Sequence, residues 1–409
     1  MSEDTAETGP LVVLGGSHRV IEVAAEFDCP IVHVQKPGAT VTHLIKGGTR
    51  LLTADYTGPA FHSLVEQVLA PLRPQAFVSL AEDGVVAAAS ANLLLGLPGT
   101  PPDVVSRFRD KAHMRQRILE CGLDELTVPF AAVESGPHAA SVMATWPRGT
   151  TAILKPRDGS GSQGIEHITA PAELRTRVDL SRQLLEQYVP GPEYSAETFS
   201  VDGGHRLVAV TEKVVDPATF VELGHVTPPP SLTPAELHTI GSAVSRFLDA
   251  MGLHDGPAHT EFKLHDNTVK IIESHNRIGG GGISTLTRLV TGIDLVAWGV
   301  GWPVGLGAPA ADPEPAAPAA AIAFAAARPG TVADISLPDA DQAPPAIQVV
   351  DISAFVAPGD LVRPLRSSTD RVGCVMASGP APGPTMAAVT GLARRITVTA
   401  LDSRQDVTV

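Results

Sequence analysis

The order of apolar and helical segments in the first hundred residues constrains the fold of this chain more than any other feature. An apolar run at 11–14 leads into Gly15 and Gly16, and a helical pattern separates it from a second apolar run at 30–34. This order is typical of a strand, a tight turn, a helix and a parallel strand. The pattern continues with one strand-like run and two helical segments, at 76–80, 63–72 and 85–95. We therefore predict a parallel α/β layer at the start of the chain.

The two glycines of the first turn raise the question of a dinucleotide site. The G-x-G-x-x-G spacing that lets a backbone approach a pyrophosphate is missing after Gly15 and Gly16. A tight turn between strand and helix therefore explains these residues better than a cofactor site does.

Charge and cysteine content argue against several classes of function. Of the 409 residues, 44 are acidic and 30 are basic, which gives a formal net charge of −14. A basic surface attracts nucleic acids and anionic membranes, so we expect neither as a partner. The three cysteines, Cys29, Cys121 and Cys374, lie far apart and form no Cys-x-x-Cys pair. Because the acidic N-terminal segment also lacks the pattern of a secretory signal, a cytoplasmic protein is expected.

A strand that ends in a lysine and runs into a glycine-rich loop is the first candidate site. Lys155 lies in the apolar run 151–156. The loop that follows is made of small residues, among them Ser160, Gly161, Ser162 and Gly164. Its backbone N–H groups can approach phosphate oxygens while the lysine supplies a charge. The Walker A spacing fails, and a flexible hairpin turn is the alternative interpretation of these residues taken alone.

Two acidic residues form the second candidate site. Glu261 and Glu273 lie in strand-like runs joined by a turn at 266–267, so a hairpin would bring their carboxylates together. Mg²⁺ prefers such oxygen ligands and shares them with substrate phosphates. Four histidines crowd the same stretch: His254, His259, His265 and His275. Zinc is therefore an alternative, although no common zinc spacing occurs, and solvated carboxylates without a function are another.

In order and spacing, these features resemble the ATP-grasp superfamily of carboxylate–amine ligases over roughly residues 105–295. The resemblance implies that Lys111, in Arg109-Asp110-Lys111, and Lys155 reach the ATP phosphates. It also implies that the loop at 159–164 is a mobile lid that binds nucleotide. The hinge strand follows, where Glu186 and the main chain at Gln187 and Val189 would hold adenine and Glu193 would hold the ribose.

The same resemblance implies the catalytic and metal-binding roles. Glu261 and Glu273 match the two metal-binding carboxylates. Arg277 matches the arginine that steadies an acyl phosphate, assisted by the glycine turn that contains Gly280. Lys155 would act in catalysis by offsetting charge on the phosphates. The implied cofactors are ATP and Mg²⁺, for which Mn²⁺ can substitute.

One position departs from the family pattern. The usual Glu-x-Asn-x-Arg reads Glu273-Ser-His275-Asn276-Arg277, so His275 stands where the third metal ligand usually lies. Alternate residues of a strand share a face, so His275 and not Asn276 is expected beside Glu273 and Arg277. Mg²⁺ binds nitrogen poorly, so His275 is expected to contact the substrate or an ATP oxygen, with water or His275 completing the metal shell.

Further motifs are similar to the branch that includes L-amino-acid ligases, whose members join amino acids or related acids through amide bonds. These motifs lie at 220–228, 258–262 and 359–373. In that context the candidate substrate residues are Glu197, Glu222, His225, His275 and Asn276. An ordinary loop is the alternative for the segment around Glu222 and His225.

The resemblance implies a fold of mixed α/β and α+β class. The expected parts are an N-terminal Rossmann-like α/β domain (1–104), a lid subdomain (105–190), a central α+β subdomain with the metal site (191–304), an Ala/Pro-rich linker (305–318) and a small C-terminal α+β domain (319–409). The implied activity is ATP-dependent amide formation between a small-molecule carboxylate and an amine, in a superfamily where homodimers are common. The alternatives are a carboxylase or purine-pathway-type ligase of the same superfamily and a non-catalytic ATP-binding regulatory protein.

Overall fold

A computed structural model describes residues 9–39, 49–307 and 313–401. The predicted parallel layer at the start of the chain is confirmed. Its strands are ordered β3-β2-β1-β4 and are β1 (Leu11–Leu14), β2 (Ile31–Gln35), β3 (Thr49–Thr53) and β4 (Ala76–Val78). The accompanying helices are α1 (His18–Glu26), α2 (Ala60–Leu64) and α3 (Val85–Leu95).

The turn after β1 requires its glycines. Gly15 and Gly16 have φ values of 63° and 102°, in the left-handed region that favours glycine. A Cβ on Gly15 would lie 2.3 Å from the Tyr56 hydroxyl. The glycines therefore allow a tight turn, as predicted.

A second sheet of four antiparallel strands follows. Its order is β5-β8-β6-β7, and its strands are β5 (Phe130–Val133), β6 (Ala152–Pro156), β7 (Glu166–Ile168) and β8 (Gln183–Gln187). The helices of this region are α4 (Pro102–Arg109), α5 (Lys111–Glu120) and α6 (Gly136–Met143). Asp110 begins α5 as its N-cap, accepting from the N–H of Ala112 at 2.8 Å, and also binds the Arg157 guanidinium. This cap fixes Lys111, the first residue of α5, beside the loop that follows β6.

The largest sheet has eight antiparallel strands in the order β13-β12-β9-β10-β11-β14-β18-β16. The strands are β9 (Glu193–Val201), β10 (Gly204–Val215), β11 (Glu222–Thr227), β12 (Gly256–His265), β13 (Thr268–His275), β14 (Ala319–Ala325), β16 (Gln348–Ala354) and β18 (Gly373–Gly379). Helix α7 (Pro234–Met251) packs against this sheet and contributes Phe247 to a core that includes Phe262 and Tyr194. A capping box begins α7, because Thr233 accepts from the Glu236 N–H while the Glu236 carboxylate accepts from the Thr233 N–H.

The C-terminal segment continues the eight-stranded sheet. Its first strand, β14, pairs with β11 through the register Gly224–Ala323 to Thr227–Ala320, so the boundary expected at 319 lies within a continuous sheet. A small third sheet, ordered β17-β15-β19, adds β15 (Gly330–Ser336), β17 (Leu361–Val362) and β19 (Thr397–Leu401), and α10 (Pro382–Ala393) packs on β14 and β18. The Ala/Pro-rich composition before β14 predicts a linker to a C-terminal domain. Composition does not indicate strand pairing, because the partner strand β11 lies far away in the chain.

The predicted linker (305–318) is only partly described, since 308–312 lie outside the described residues. The acidic N-terminal residues 1–8 also lie outside them. The described end of the linker, after residue 312, packs on α8 (Ile283–Thr291). There the Ala316 and Ala317 N–H groups donate to Leu289 O. No single helix among the described residues is long and apolar enough to cross a membrane. The segments 283–291 and 295–304, the second containing α9 (Leu295–Gly301), reach that length and apolarity only as a pair bent by 106°.

Candidate active site

A cavity of about 240 Å³ is lined by residues of the second sheet and of the eight-stranded sheet. Most of the residues singled out from the sequence line it: Lys111, Lys155, Ser160, Gly161, Ser162, Glu186, Gln187, Val189, Glu193, Glu222, Glu261, Glu273, His275, Arg277 and Gly280. Four others do not: Gly164, Glu197, His225 and Asn276. Segments from distant parts of the chain therefore converge on one pocket.

Lys155, at the end of β6, is held by a buried ion pair. Its ammonium contacts the Glu186 carboxylate, whose other oxygen accepts from Arg115 Nη2 at 3.0 Å. Arg115 is fully buried and also donates to Ile272 O at 3.0 Å. Burial lowers the pKa of Lys155, while Glu186 opposes that shift by favouring the charged form. The Glu186 side chain is thus committed to Lys155 and Arg115, so its carboxylate positions the lysine and only its main chain is left for the predicted contact with adenine.

Lys111 bridges the glycine-rich loop and the acidic pair. Its ammonium donates to Gly159 O at 2.6 Å and lies 2.9 Å from a Glu273 carboxylate oxygen. Its backbone N–H also donates to Arg157 O, which ties the start of α5 to the loop after β6. Two lysines from different elements therefore face the same cavity.

The glycine-rich loop is closed against distant segments. Gly161 and Ser162 both have positive φ, 67° and 60°. The Ser162 hydroxyl donates to Phe220 O at 2.8 Å, and the Ser368 N–H donates to Gly161 O at 3.1 Å. Gly164 lies in the same loop, turned toward Pro156. The loop predicted to be a lid therefore spans the cavity and touches the C-terminal segment.

Glu261 and Glu273 face each other across the β12–β13 hairpin in direct register, as the sequence predicted. A buried lysine, Lys213 of β10, contacts Glu261 and also Glu222 and Glu193, at 2.5, 2.7 and 3.4 Å. Burial alone would lower the pKa of Lys213, but the three carboxylates raise it well above its usual value. Lys213 thus links the carboxylates predicted for metal, ribose and substrate.

His259 connects Glu261 to a deeper carboxylate. Its Nδ1 lies 2.7 Å from Glu197 and its Nε2 lies 3.0 Å from Glu261. Burial disfavours the charged ring, yet the two glutamates raise the pKa of His259 to about 9. Glu197 is completely buried, and its second oxygen has no hydrogen-bond partner within the described structure. Glu197 therefore acts from beneath the cavity and does not line it.

Arg277 and His275 meet the carboxylate of Glu82, which lies in the loop that follows β4 of the first sheet. Arg277 Nε donates to Glu82 Oε2, and its Nη1 donates to Ile278 O at 2.8 Å. His275 Nδ1 lies 3.0 Å from the same Glu82 oxygen, and its Nε2 lies 3.1 Å from Glu273. Burial lowers the pKa of His275 to about 4, so the ring is neutral near pH 7. His275 shares the face of Glu273 and Arg277, as strand alternation predicted.

Glu222 and His225, both in β11, were also predicted to contact the substrate. Glu222 lines the cavity, and its carboxylate oxygen lies 3.4 Å from His225 Nε2. His225 is completely buried, with Nδ1 3.0 Å from Gly281 O. The ring therefore lies behind the glycine turn that follows Arg277.

Two expectations differ from the structure. Asn276 lines a separate cavity with Ser79, Asn92 and Trp302, because the next residue after His275 points away from the Glu273 face. The four histidines considered for zinc do not converge, since His254 pairs with Asp255 on the surface while His259 and His275 stack at 6.3 Å within the site. Among the described residues, the cluster with metal-binding spacing is Asp202, His254 and Asp255 at the surface.

Sequence reasoning missed three charged residues of this site: Glu82, Lys213 and Arg371. Glu82 follows β4, and the carboxyl end of a parallel strand is where such a residue would be sought. Lys213 is a buried charge in β10, a strand rich in apolar residues. Arg371 lies within the C-terminal motif at 359–373, whose spacing alone does not indicate a place in the site.

Two family models match parts of the chain. The ATP-grasp domain model matches residues 174–285. The model described as L-amino acid ligase C-terminal domain 2 matches residues 322–400. The first match includes Glu186, Glu261 and Glu273, and the second includes Arg371.

Comparison with known proteins gives relatives at low identity. An uncharacterized protein, y4rH, from Sinorhizobium fredii is 28% identical over 296 residues, or 69% of this chain and 59% of the relative. Carnosine synthase 1 of Gallus gallus is 28% identical over 251 residues, or 55% of this chain and 27% of that protein. The chain therefore spans less than two thirds of either relative. The crystal structure of L-amino acid ligase from Bacillus licheniformis superposes with a TM-score of 0.77 at 20% identity, covering 97% of this chain and all of that one.

Proposed function

Since this chain belongs to the ATP-grasp superfamily of carboxylate–amine ligases, we propose that it activates a carboxylate with ATP and joins it to an amine. One observation carries the proposal: Lys111, Lys155 and Arg277 line the same cavity as the facing carboxylates Glu261 and Glu273. Such a site suits the transfer of a phosphoryl group to an acid. The match of the C-terminal segment to an L-amino acid ligase domain supports amino acids or related compounds as substrates.

The donor set fits Mg²⁺. Glu261 and Glu273 offer carboxylate oxygens on facing strands, and Glu197 beneath them leaves one buried oxygen without a hydrogen bond within the described structure. When bound, Mg²⁺ would neutralise negative charge on the phosphates of ATP. Glu261 and Glu273 are therefore the residues that would hold it.

The first chemical step makes the acid reactive. A carboxylate is a poor electrophile, so its oxygen attacks the γ-phosphorus of ATP, a new O–P bond forms, and the bond to ADP breaks. Lys111 and Lys155 offset charge on the transferred and leaving phosphates. Because Glu186, itself held by Arg115, holds Lys155 from behind, the lysine ammonium meets the phosphates without first reorganising.

The second step forms the amide. A neutral amine attacks the acyl carbon, the C–N bond forms, and the C–O bond to phosphate breaks, while the proton lost by nitrogen leaves with phosphate. Arg277 and the N–H groups around Gly280 stabilise the oxygen that becomes negative. The closed loop over Gly161 and Ser162 excludes water, which would otherwise hydrolyse the intermediate.

The test is release of ADP and phosphate by the purified protein with Mg-ATP against paired amino acids, related acids and amines, with mass spectrometry on every active pair. Release that requires two partners, with a product mass equal to their sum minus water, would support the proposal. A product that incorporates bicarbonate or a ribonucleotide would instead favour a carboxylase or a purine-type ligase. Tight ATP binding without release would favour a regulatory ATP-binding protein.

A further inference from the structure

A row of charged side chains crosses three neighbouring strands beside the cavity. Lys213 of β10, Glu193 of β9 and Lys263 of β12 are paired in direct register. Residues paired in this way share one face of a sheet. Glu193 and Lys263 line the cavity, and Lys213 is buried beside them. Glu193 is therefore a carboxylate that lies between two lysines.

The two lysines approach different oxygens of Glu193. Lys213 Nζ lies 3.4 Å from Oε1 but is closer to Glu261 and Glu222, at 2.5 and 2.7 Å. Lys263 Nζ lies 4.0 Å from Oε2. A direct hydrogen bond spans about 2.7–3.2 Å, so a gap separates the ammonium of Lys263 from the carboxylate of Glu193.

Lys263 is held on its other side by the segment that follows β8. Its Nζ donates to Val189 O at 3.2 Å and lies 5.2 Å from the centre of the Tyr188 ring. The side chain is buried. An ammonium has three donors, and the Val189 carbonyl uses one of them. Lys263 therefore keeps donors for a further acceptor within the cavity.

The gap between Lys263 and Glu193 suits a hydroxyl group. A hydroxyl oxygen accepts one hydrogen bond while its proton is donated in another, so a single group can join an ammonium to a carboxylate. Two bonds of about 2.8 Å fit between ends that lie 4.0 Å apart. An anionic group would be repelled by Glu193, and an apolar group would leave both charges without a partner. The juxtaposition of these two residues therefore favours a ligand hydroxyl.

We propose that Lys263 and Glu193 together bind the ribose 2′-hydroxyl of the nucleotide, Lys263 donating to its oxygen and Glu193 accepting from it. This inference rests on the proposed function and adds Lys263 to nucleotide binding. The base would lie against the main chain of Gln187 and Val189, and Lys263 is bonded to the second of these residues. The 2′-hydroxyl is on the carbon next to the one that carries the base, and the 3′-hydroxyl is one carbon farther away. The lysine bonded to Val189 therefore meets the 2′-hydroxyl.

Calorimetric titration with ADP, 2′-deoxy-ADP and 3′-deoxy-ADP tests the inference, in the presence of Mg²⁺ and without acid or amine. We expect the wild type to bind ADP about tenfold or more tighter than 2′-deoxy-ADP, because loss of the hydroxyl leaves two charges without their common partner. Lys263→Met should bind ADP about tenfold more weakly than the wild type and should prefer it to 2′-deoxy-ADP by less than about threefold. The same variant should keep the wild-type preference for ADP over 3′-deoxy-ADP, because the 3′-hydroxyl does not meet Lys263.

Matched variants separate a binding role from a structural one. Glu193→Gln should lower the same 2′-hydroxyl preference, and adding Lys263→Met should lower it little further, because the two side chains serve one hydroxyl. Lys270→Met is the control, since Lys270 is paired with Lys263 across β12 and β13 but donates to Glu125 O and Thr127 O. It should bind all three nucleotides within about twofold of the wild type. Thermal unfolding without nucleotide establishes that each variant is folded.

Each outcome has a distinct meaning. Equal binding of ADP and 2′-deoxy-ADP by the wild type, or an equal loss of both nucleotides in Lys263→Met, would overturn the inference and leave the ligase function standing. Absence of ADP binding by the wild type would overturn the proposed function together with the inference. A 2′-hydroxyl preference that depends on Lys263 in a protein that forms no amide would uphold the inference and overturn the proposed amide formation.

Discussion

Arg277, at the end of the metal-site hairpin, donates from Nε to the carboxylate of Glu82, a residue of the loop that follows the first sheet. The same Glu82 also pairs with Arg109 and lies 3.0 Å from His275. A carboxylate 195 residues away in the chain therefore sets the direction of the arginine assigned to the acyl phosphate. The loop after the first sheet thus reaches the candidate active site.

We expect Glu82→Gln to lower kcat by about tenfold or more, because a misdirected guanidinium stabilises the transition state poorly. The KM for ATP should change by less than about threefold, since Glu82 does not contact the lysines assigned to the phosphates. Steady-state kinetics of amide formation measure both. Asp83→Asn is the matched control, because Asp83 points instead to Lys36 and Tyr56. A similar loss in both variants would contradict a specific role for Glu82.

Arg277→Ala should reduce product formation by about 100-fold or more, because the negative oxygen of the second step loses its main cation. Nucleotide binding should stay within about threefold of the wild type, since Lys111 and Lys155 remain. Calorimetric titration with ADP, together with product analysis, separates these quantities. Equal losses in binding and ligation would count against the assigned role.

Glu186→Gln should destabilise the fold by about 3–5 kcal/mol, because it leaves Lys155 and Arg115 buried without their counter-charge. Urea unfolding followed by circular dichroism gives the free energy. The exposed Glu120→Gln, which removes only a surface pair with Arg117, should change it by less than about 1 kcal/mol. A small effect at Glu186 would mean that water reaches this network in solution.

Folding stability should fall as the pH falls from about 6.5 through 4, in part because of His275. Its pKa is about 4 in the folded protein, against 6.5 for an ordinary histidine, so the unfolded chain binds the proton more readily in this window. The shift corresponds to about 3 kcal/mol when complete. His275→Asn should therefore lose less stability between pH 7 and pH 4.5 than the wild type in thermal unfolding. His238→Asn, at an exposed position, should follow the wild type, and parallel curves for all three proteins would refute the assignment.

Much of this site could be predicted because its motifs are local. Lys155 and the glycine loop are contiguous, and Glu261 and Glu273 flank one tight turn, so strand pairing alone brings them together. Strand alternation also places His275 on the face of Glu273 and turns Asn276 away.

The residues that could not be predicted meet across long separations. Glu82, Lys213 and Arg371 reach the site from three other strands or turns, and no spacing in the sequence encodes which strands become neighbours. The Ala/Pro-rich stretch gave no sign of the pairing of β14 with β11 for the same reason, because β11 lies nearly a hundred residues earlier in the chain.

The insertion of β18 between β14 and β16 has a consequence for synthesis in the cell. The sheet cannot close until β18 has left the ribosome. A nascent chain halted before that point carries Lys111, Lys155, Glu261 and Glu273 beside an open strand edge. A truncated product of this kind would expose the unpaired edge of β14, which favours pairing with other chains.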